Sequence, residues 1–320
     1  MKGILMNKKI IMAVNIEMEY LKRSYLCLIA VTCIILYSFG CSFFQYESVM
    51  DLYDSYNNIS IFYEDGNLDK GEYLDREYSI DETDGAEVIK NPLMYFYAEM
   101  CKAIYSVSPK YGPVQALEIG IAFFPFIFVI IGSGMMVSDY KTKIIKHKIL
   151  RFGRGGYAIS KLITMFFIIC SLIIGVLLTS KIFSLLLTGI LARKIPFDEF
   201  NICNYTSNSS FVTKVIITLL ISLFFCLIGA LFGVIFRKTI PAVIVSGIYL
   251  YIIPVRFVYE PKNIMYSIMN RCFDFYGIAK ISSFILCNFW TSMIILLLSI
   301  LFLGLSIILV IKERSAYIAR

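Results

Sequence analysis

The sequence predicts an all-α integral membrane protein with six transmembrane helices. Of its 320 residues, 58% are hydrophobic and only 17% are charged, whereas soluble domains are about 45–50% apolar and about 25% charged. The mean hydropathy is +0.75. The apolar residues occur in blocks rather than at the periodic single positions of a soluble helix or strand. These observations exclude an ordinary cytosolic enzyme, a secreted disulfide-stapled domain and a disordered chain.

Six apolar blocks are long enough, or nearly so, to cross a bilayer, which takes about 20 helical residues. We number the predicted spans one to six along the chain: 24–44, 117–138, 162–187, 215–236, 240–258 and 289–311. Span five is the shortest, because Arg256 limits it and Pro241 and Pro254 lie at its ends. Span three is unusually long and carries Lys181, which we expect at the outer membrane interface.

The distribution of charge predicts that both termini are cytoplasmic. Residues 139–161, between spans two and three, include seven basic residues and one acidic residue. The segments before span one and after span six are also basic, and basic short loops mark the cytoplasmic side. The net charge of +7 therefore reflects orientation in a membrane, and we do not expect nucleic acid as a partner.

The segments outside the spans differ in character. Residues 1–23 interleave apolar residues with lysines, which predicts an amphipathic helix on the inner leaflet or a short cytoplasmic extension of span one. Residues 45–116 form a large, acidic extracytoplasmic loop, within which we expect 64–87 to be mobile and 92–107 to be helical. The remaining predicted segments are the outer loops 188–214 and 259–288, the second with a re-entrant part, and the cytoplasmic tail 312–320.

Motifs for catalysis are absent. The single histidine, His147, is flanked by lysines and is expected to be a solvated loop residue. No G-x-S-x-G or phosphate-binding loop occurs, so we expect neither an enzyme nor a chain that binds ATP, a metal or another cofactor by itself. Four cysteines fall on the predicted outer side, and the sequence is compatible with either disulfides or free thiols there. They are Cys101, Cys203, Cys272 and Cys287.

Charges are scarce within the spans, and those near the span ends are expected at the membrane interface. These are Glu118, Lys161, Lys181 and Arg237. An ion path through the membrane is therefore disfavoured, and the energy for any transport is expected from another chain. Small residues favour close packing of membrane helices. The candidates are Gly132 and Gly134 in span two and Gly229 and Gly233 in span four.

The most informative segment is the basic connection between spans two and three. From Thr142 to Leu150, three aliphatic residues lie near one helical face and basic residues occupy much of the rest. We predict a short amphipathic helix parallel to the membrane, ended by Gly153, Gly155 and Gly156. Such a helix fits two functions: a basic anchor on anionic lipid headgroups, or a docking element for a cytoplasmic partner.

The order of residues in this connection resembles the inner loop of permease subunits of ABC exporters of the type-2 class. Asp139 follows span two, Thr142 comes three residues later, and a short apolar and basic helix leads to Arg154 in a turn and Lys161 at the foot of span three. That family usually has Glu where this chain has Asp139, and Gly where it has Lys141. The wider layout is also similar, including a half-buried outer segment between spans five and six.

The resemblance implies a permease that works as a dimer, with a second copy or a sister permease, and exports a peptide, antibiotic or lipid-like amphipathic substrate. ATP and Mg²⁺ would be bound by a separate ABC ATP-binding subunit at the cytoplasmic face. The residues that would couple to it are Asp139, Thr142, Lys143, Ile145, Lys146, Ile149, Leu150, Arg151, Arg154 and Lys161. Membrane lipid is the remaining partner, and the expected location is a bacterial cell membrane. The alternative is a non-transporting membrane sensor that binds its ligand through the acidic loop 45–116.

Overall fold

The computed structural model describes residues 2–22, 25–66, 68–83, 86–201, 205, 207, 209–279, 285 and 287–318. These residues form eleven α-helices, two strands, one 3₁₀ turn and one π-helical turn. In chain order the helices and strands are α1 Lys2–Lys22, α2 Tyr25–Asp65, α3 Lys70–Leu74, β1 Ser79–Thr83, β2 Ala86–Lys90, α4 Pro92–Val107, α5 Gly112–Lys141, α6 Ile145–Phe152, α7 Arg154–Leu191, α8 Phe211–Phe236, α9 Thr239–Gly247, α10 Pro261–Cys272 and α11 Phe289–Ile318. A 3₁₀ turn covers Phe197–Glu199, and a π-helical turn, Ile248–Ile252, follows α9.

Five helices are long and apolar enough to cross a bilayer: Leu28–Asp65, Gly112–Lys141, Arg154–Leu191, Phe211–Phe236 and Phe289–Glu313. The chain is therefore a multi-pass membrane protein. The structure does not reproduce predicted span five at full length. The nine residues of α9 and the five of the π turn rise only about 20 Å, against about 30 Å of hydrocarbon. The helix stops because Pro254 disfavours the helical conformation at Ile253, which is extended.

Predicted span one is part of a much longer element. Helix α2 contains 41 residues, which corresponds to a length of about 60 Å. It continues well past Phe44, where the predicted extracytoplasmic loop begins, and ends only at Asp65. The first part of the predicted loop, from residue 45 to Asp65, is thus helical. The stretch 64–87, which was predicted to be mobile, contains α3 and most of a β-hairpin. The hairpin is antiparallel, pairs Ser79 with Lys90, and departs from the all-α expectation.

We call the end of α2, α3, the hairpin and α4 the head. Residues of α2, α4 and the end of α7 share a second hydrophobic core. Val49 of α2 packs there with residues of α4 and with Leu191, Ile195 and Phe200 at and beyond the end of α7. Aromatic rings close this core, since the ring of Phe200 lies 5.5 Å from that of Tyr56. Among the predicted outer cysteines, Cys101, Cys272 and Cys287 are free thiols. Cys203 lies outside the described residues.

Helices α5 and α8 form the centre of the bundle and approach each other closely. A Cβ added to Gly132 would lie 2.0 Å from the carbonyl oxygen of Cys226, and one on Gly229 would lie 2.1 Å from that of Val129. A Cβ on Gly233 would lie 2.8 Å from the oxygen of Ser133. These three glycines therefore permit backbone contact between the two helices. Gly134 differs, because a Cβ there would meet nothing within 4 Å, and it is not part of the contact.

Helix α9 follows directly after the end of α8, whereas α10 lies near the residues where α8 and α11 begin. The chain turns after the π turn, and α10 packs its buried aliphatic residues Ile264, Met265 and Ile268 against the core formed by α5, α8 and α11. Asn263 links the segment before α10 to the segment after it. Its side-chain amide donates to the carbonyl of Val258 at 2.7 Å and to that of Ile285 at 2.9 Å.

Candidate functional site between α5 and α7

The connection between α5 and α7 is built around the two-turn helix α6. Helix α5 ends at Lys141, and Lys143 adopts a left-handed backbone with φ of +56°. This backbone conformation interrupts the helix, so α6 begins at Ile145, three residues later than the predicted start at Thr142. The predicted amphipathic helix is therefore present in shortened form.

Gly153 ends α6 and starts α7. Its φ of +76° and ψ of 159° belong to a region that is essentially restricted to glycine. The predicted break at three glycines is wrong for the other two, because Gly155 and Gly156 lie within α7. One glycine is enough to redirect the chain, and this turn sets the angle between α6 and α7.

We expect Gly153→Ala to lower the free energy of unfolding by about 1–3 kcal/mol, the usual penalty for a side chain in this backbone region. Thermal unfolding of the purified protein in detergent, followed by circular dichroism, would measure the loss. Gly155→Ala is the matched control, because a Cβ there meets only ordinary contacts, the nearest at 3.7 Å, and alanine favours the helix. Equal stability of the two variants would show that the backbone conformation of Gly153 does not penalise a side chain.

Four charged side chains from four helices meet behind α6. We call them the charge cluster: Glu17 of α1, Asp139 of α5, Lys148 of α6 and Lys161 of α7. The ammonium of Lys161 lies 2.9 Å from Glu17 and 2.8 Å from Asp139. Lys148 is 2.8 Å from Asp139 and also pairs with Glu17. Each base thus contacts both acids, and the cluster has no net charge.

Neutral groups complete the cluster. The hydroxyl of Tyr157 donates to the second oxygen of Asp139 at 2.8 Å. The ammonium of Lys161 also donates to the carbonyl of Met135 at 3.3 Å and lies 5.9 Å from the centre of the Tyr157 ring. Buried ionic groups are tolerated when their remaining hydrogen-bonding capacity is met in this way. The cluster joins α1, α5, α6 and α7 into one unit.

Burial distinguishes this cluster from charges at a membrane interface. The side chain of Lys161 is 2% exposed and that of Asp139 is 6% exposed. Lys161 and Glu118 were predicted at the membrane interface, and both side chains are buried within the bundle rather than exposed at its surface. Lys181 and Arg237 are exposed, and the guanidinium of Arg237 lies over the ring of Tyr140 at 5.5 Å.

The partners of Lys148 determine its protonation. Burial by itself lowers the pKa of this lysine, but the hydrogen bonds and charges of Asp139 and Glu17 outweigh burial, so its pKa lies above the usual 10.5. Lys148 is thus an ammonium ion at neutral pH. Because the pKa is raised on folding, the resulting stabilisation is complete below about 10.5 and is lost as the pH rises through the higher folded value.

The opposite face of α6 is exposed and mostly basic. Ile145 is buried and Ile149 is half-buried, but Leu150 is 83% exposed. Leu150 was predicted on their face, yet it lies about 140° around the helix from Ile145, since each residue turns the helix by about 100°. We define the α6 face by seven exposed residues, beside which Ile144 and Gly153 are also exposed: Thr142, Lys143, Lys146, His147, Leu150, Arg151 and Arg154.

The predicted coupling residues therefore fall into two groups. Asp139, Lys161 and Ile145 are buried, so they can position α6 but cannot contact a partner directly. The other predicted residues lie on the α6 face or, like Ile149, at its edge. Sequence reasoning missed Glu17, although it follows the buried Ala13 and Val14 at helical spacing. That spacing places a carboxylate on the packed side of an amphipathic helix.

A second buried polar cluster occupies the opposite end of the bundle. Lys214 of α8 pairs with Asp274 at 2.6 Å, and both side chains are 1% exposed. Glu118 of α5 accepts a hydrogen bond from Tyr111 at 2.5 Å and another from the backbone N–H of Phe275 at 3.1 Å. This cluster fixes the segment after α10 onto α5 and α8. The sequence placed Lys214 in a loop and gave no indication of its burial.

Neither cluster resembles a metal site. In the part of the chain that the structure describes, no group of three histidine, cysteine or carboxylate residues comes together as metal ligands would. Comparisons with protein-family models, with curated proteins and with solved structures found no significant match to this chain.

Proposed function

We propose that the chain is the permease subunit of an ATP-driven ABC exporter, with the α6 face as the contact for a separate ATP-binding subunit. The observation that carries this proposal is the contrast between the two sides of α6. One side is fixed to three other helices by the charge cluster, and the other presents basic residues and the almost fully exposed Leu150.

This arrangement suits the transmission of movement. A partner that displaces α6 would also displace Asp139 at the end of α5 and Lys161 at the start of α7, because Lys148 is bound to the same carboxylates as Lys161. Asp139 and Lys161 are thus positioning residues inside the permease. The two conformations of the membrane helices would have to differ in their affinity for the loaded partner, since coupling needs a difference in binding free energy.

The exposed surface of the membrane helices fits a subunit that assembles with a second permease. Large apolar side chains along α2, α7 and α11, such as Leu36, Leu178 and Leu301, are 60–64% exposed. Lipid or a second copy would cover them. An amphipathic peptide, antibiotic or lipid-like compound remains the substrate class we propose, because these walls are apolar and aromatic. ATP and Mg²⁺ would be bound by the partner subunit.

The alternative is a non-transporting sensor, and one observation favours it. Helix α2 runs without interruption from the predicted membrane region into the head, so a ligand held by the head could alter the tilt of α2 directly. The two functions differ in their partners, since only the exporter requires an ATP-binding subunit.

We expect Leu150→Asp to abolish most of the ATPase activity that co-purifies with the tagged full-length chain, at least a tenfold loss. A buried, unpaired carboxylate at the contact would cost more than ~1.4 kcal/mol, which corresponds to tenfold in binding. The folded state should be unaffected, because Leu150 is exposed. The measurement is ATP hydrolysis and subunit stoichiometry after affinity purification from native membranes.

Leu68→Asp is the matched control, because Leu68 is also exposed but lies in the head. It should leave the co-purified ATPase unchanged. If no ATPase accompanies the unsubstituted chain, the exporter proposal fails and the sensor is favoured. If the ATPase is present but Leu150→Asp retains it fully, the α6 face is not the contact.

A further inference from the structure

A polar cleft of about 900 Å³ opens where α8 and α11 begin and α10 ends. Its polar lining comes from Ser209, Thr213, Ser267, Asn270, Arg271 and Asn288. Trp290, at the start of α11, lines the same cleft and is 72% exposed. Tryptophan at a helix end is typical of the level of the lipid headgroups. The cleft therefore lies at the depth where polar and apolar parts of the membrane meet.

Two polar groups beside the cleft, one exposed and one buried, lack a partner in the described part of the chain. The exposed guanidinium of Arg271 pairs with no carboxylate among the residues that the structure describes. Ser267 is 6% exposed, and its hydroxyl finds no hydrogen-bond partner within the described part of the chain. A buried hydroxyl without a partner costs free energy, and a ligand oxygen in the cleft would relieve that cost. A cation beside a free donor favours an anionic oxygen ligand.

An apolar groove of about 380 Å³ lies between the same two helices, nearer their middle. Phe224 and Ile228 of α8 form one wall, and Leu298 and Phe302 of α11 form the other, with Ser299 between them. Phe302 lies twelve residues beyond Trp290, a distance of about 18 Å along the helix. One leaflet of the hydrocarbon core is about 15 Å thick, so cleft and groove together match the length of one lipid molecule.

We propose that α8, α10 and α11 bind one glycerophospholipid, with its phosphate in the polar cleft and an acyl chain in the apolar groove. Arg271 pairs with the phosphate, Ser267 donates to one of its oxygens, and Trp290 packs at the glycerol level. This site does not depend on the proposed transport function, because it lies away from the α6 face and uses none of its residues.

Trp290 is the only tryptophan in the sequence, so its fluorescence reports on the cleft alone. The full-length chain in a neutral detergent is titrated with phosphatidylglycerol brominated near the glycerol end of its acyl chains, and quenching of Trp290 is followed. We expect saturable quenching. Arg271→Gln should weaken the apparent affinity about tenfold, the effect of losing ~1.4 kcal/mol of charge-assisted hydrogen bonding. Arg256→Gln, at an exposed arginine outside the cleft, should have no effect.

A second pair of variants tests the groove. Ser299→Phe fills it and should reduce the saturable quenching severalfold, whereas Ser306→Phe, on the same helix outside the groove, should not. Brominated diacylglycerol, which lacks the phosphate, should quench only weakly. Equal quenching by both lipids, or an unchanged affinity in Arg271→Gln, would overturn the proposal.

Two further outcomes would also overturn it. If inorganic phosphate displaces the lipid and Ser299→Phe has no effect, the cleft is a site for a free anion. If the chain is a dimer cross-linked through cysteines placed along α11, with no quenching of Trp290, a second copy occupies the groove instead.

Discussion

Replacement of Lys161 by methionine is expected to lower the free energy of unfolding by about 3–5 kcal/mol, the usual effect of removing one partner from a buried ion pair. The substitution leaves Glu17 and Asp139 sharing the single ammonium of Lys148 in a site where their side chains are 5–6% exposed. Repulsion between two carboxylates and the loss of their hydrogen bonds act in the same direction. Unfolding in a mixed micelle of mild detergent and SDS, followed by circular dichroism, would measure the change.

Lys181→Met is the matched control, because it removes the same group from the same helix at an exposed position. Its effect should be below about 0.5 kcal/mol. The double variant Lys161→Met, Asp139→Asn restores charge balance and should recover a large part of the loss. If the Lys161→Met variant is as stable as the Lys181→Met variant, the charge cluster does not hold the helices together.

The second large effect is expected at the contact between α5 and α8. Gly229→Ala places a Cβ 2.1 Å from the carbonyl oxygen of Val129, far inside the contact distance, so the two helices must separate. We expect destabilisation of about 3 kcal/mol, at the upper end of the usual range for overpacking. Gly132→Ala should act similarly, since its Cβ would lie 2.0 Å from the oxygen of Cys226.

A double-mutant cycle tests whether the two glycines act on the same helix contact. If both variants separate the same pair of helices, Gly132→Ala with Gly229→Ala should cost less than the sum of the two. Gly134→Ala is the control: its Cβ would meet nothing within 4 Å, and alanine favours the helix by up to about 1 kcal/mol. A destabilised Gly134→Ala, or a fully additive double variant, would contradict close packing as the cause.

The membrane helices could be predicted because hydrophobic length is a property of one segment. Predicted spans two, three, four and six fall within helices of sufficient length, and the helix Leu28–Asp65 covers all but the start of span one. Span five was predicted too long because its apolar residues continue to Val258, whereas the backbone leaves the helix after Ile252. The sequence did contain that signal in Pro254, but proline also occurs within membrane helices.

Burial of charged residues could not be predicted, because it depends on several segments at once. Lys161 is close in sequence to other basic residues that are exposed, such as Arg154. What distinguishes it is Glu17, which is 144 positions away along the chain. Likewise, Gly132 and Gly134 are equivalent in composition, but a separation of two residues places them on different sides of α5.

The structure of the head also depends on contacts between residues that are far apart in the sequence. Few aliphatic residues and many acids predicted mobility for 64–87. The region nevertheless contains α3 and most of the hairpin, although none of its described residues belongs to the core that Val49 of α2 forms with Leu191 and Ile195. Asn91 then fixes the chain between β2 and α4, because its side-chain amide donates to the carbonyls of Tyr73 and Arg76. These contacts connect residues that no local pattern relates.

The length of α2 has a consequence for measurement. About half of its 60 Å exceeds what a bilayer can cover, and the head is packed on that projecting half. A tilt of α2 by about 10° would therefore move the head sideways by about 5 Å, because an arm of about 30 Å converts rotation into displacement. A pair of distance probes, one on the head and one near the start of α8, would record rearrangements of the buried helices without a label inside the membrane.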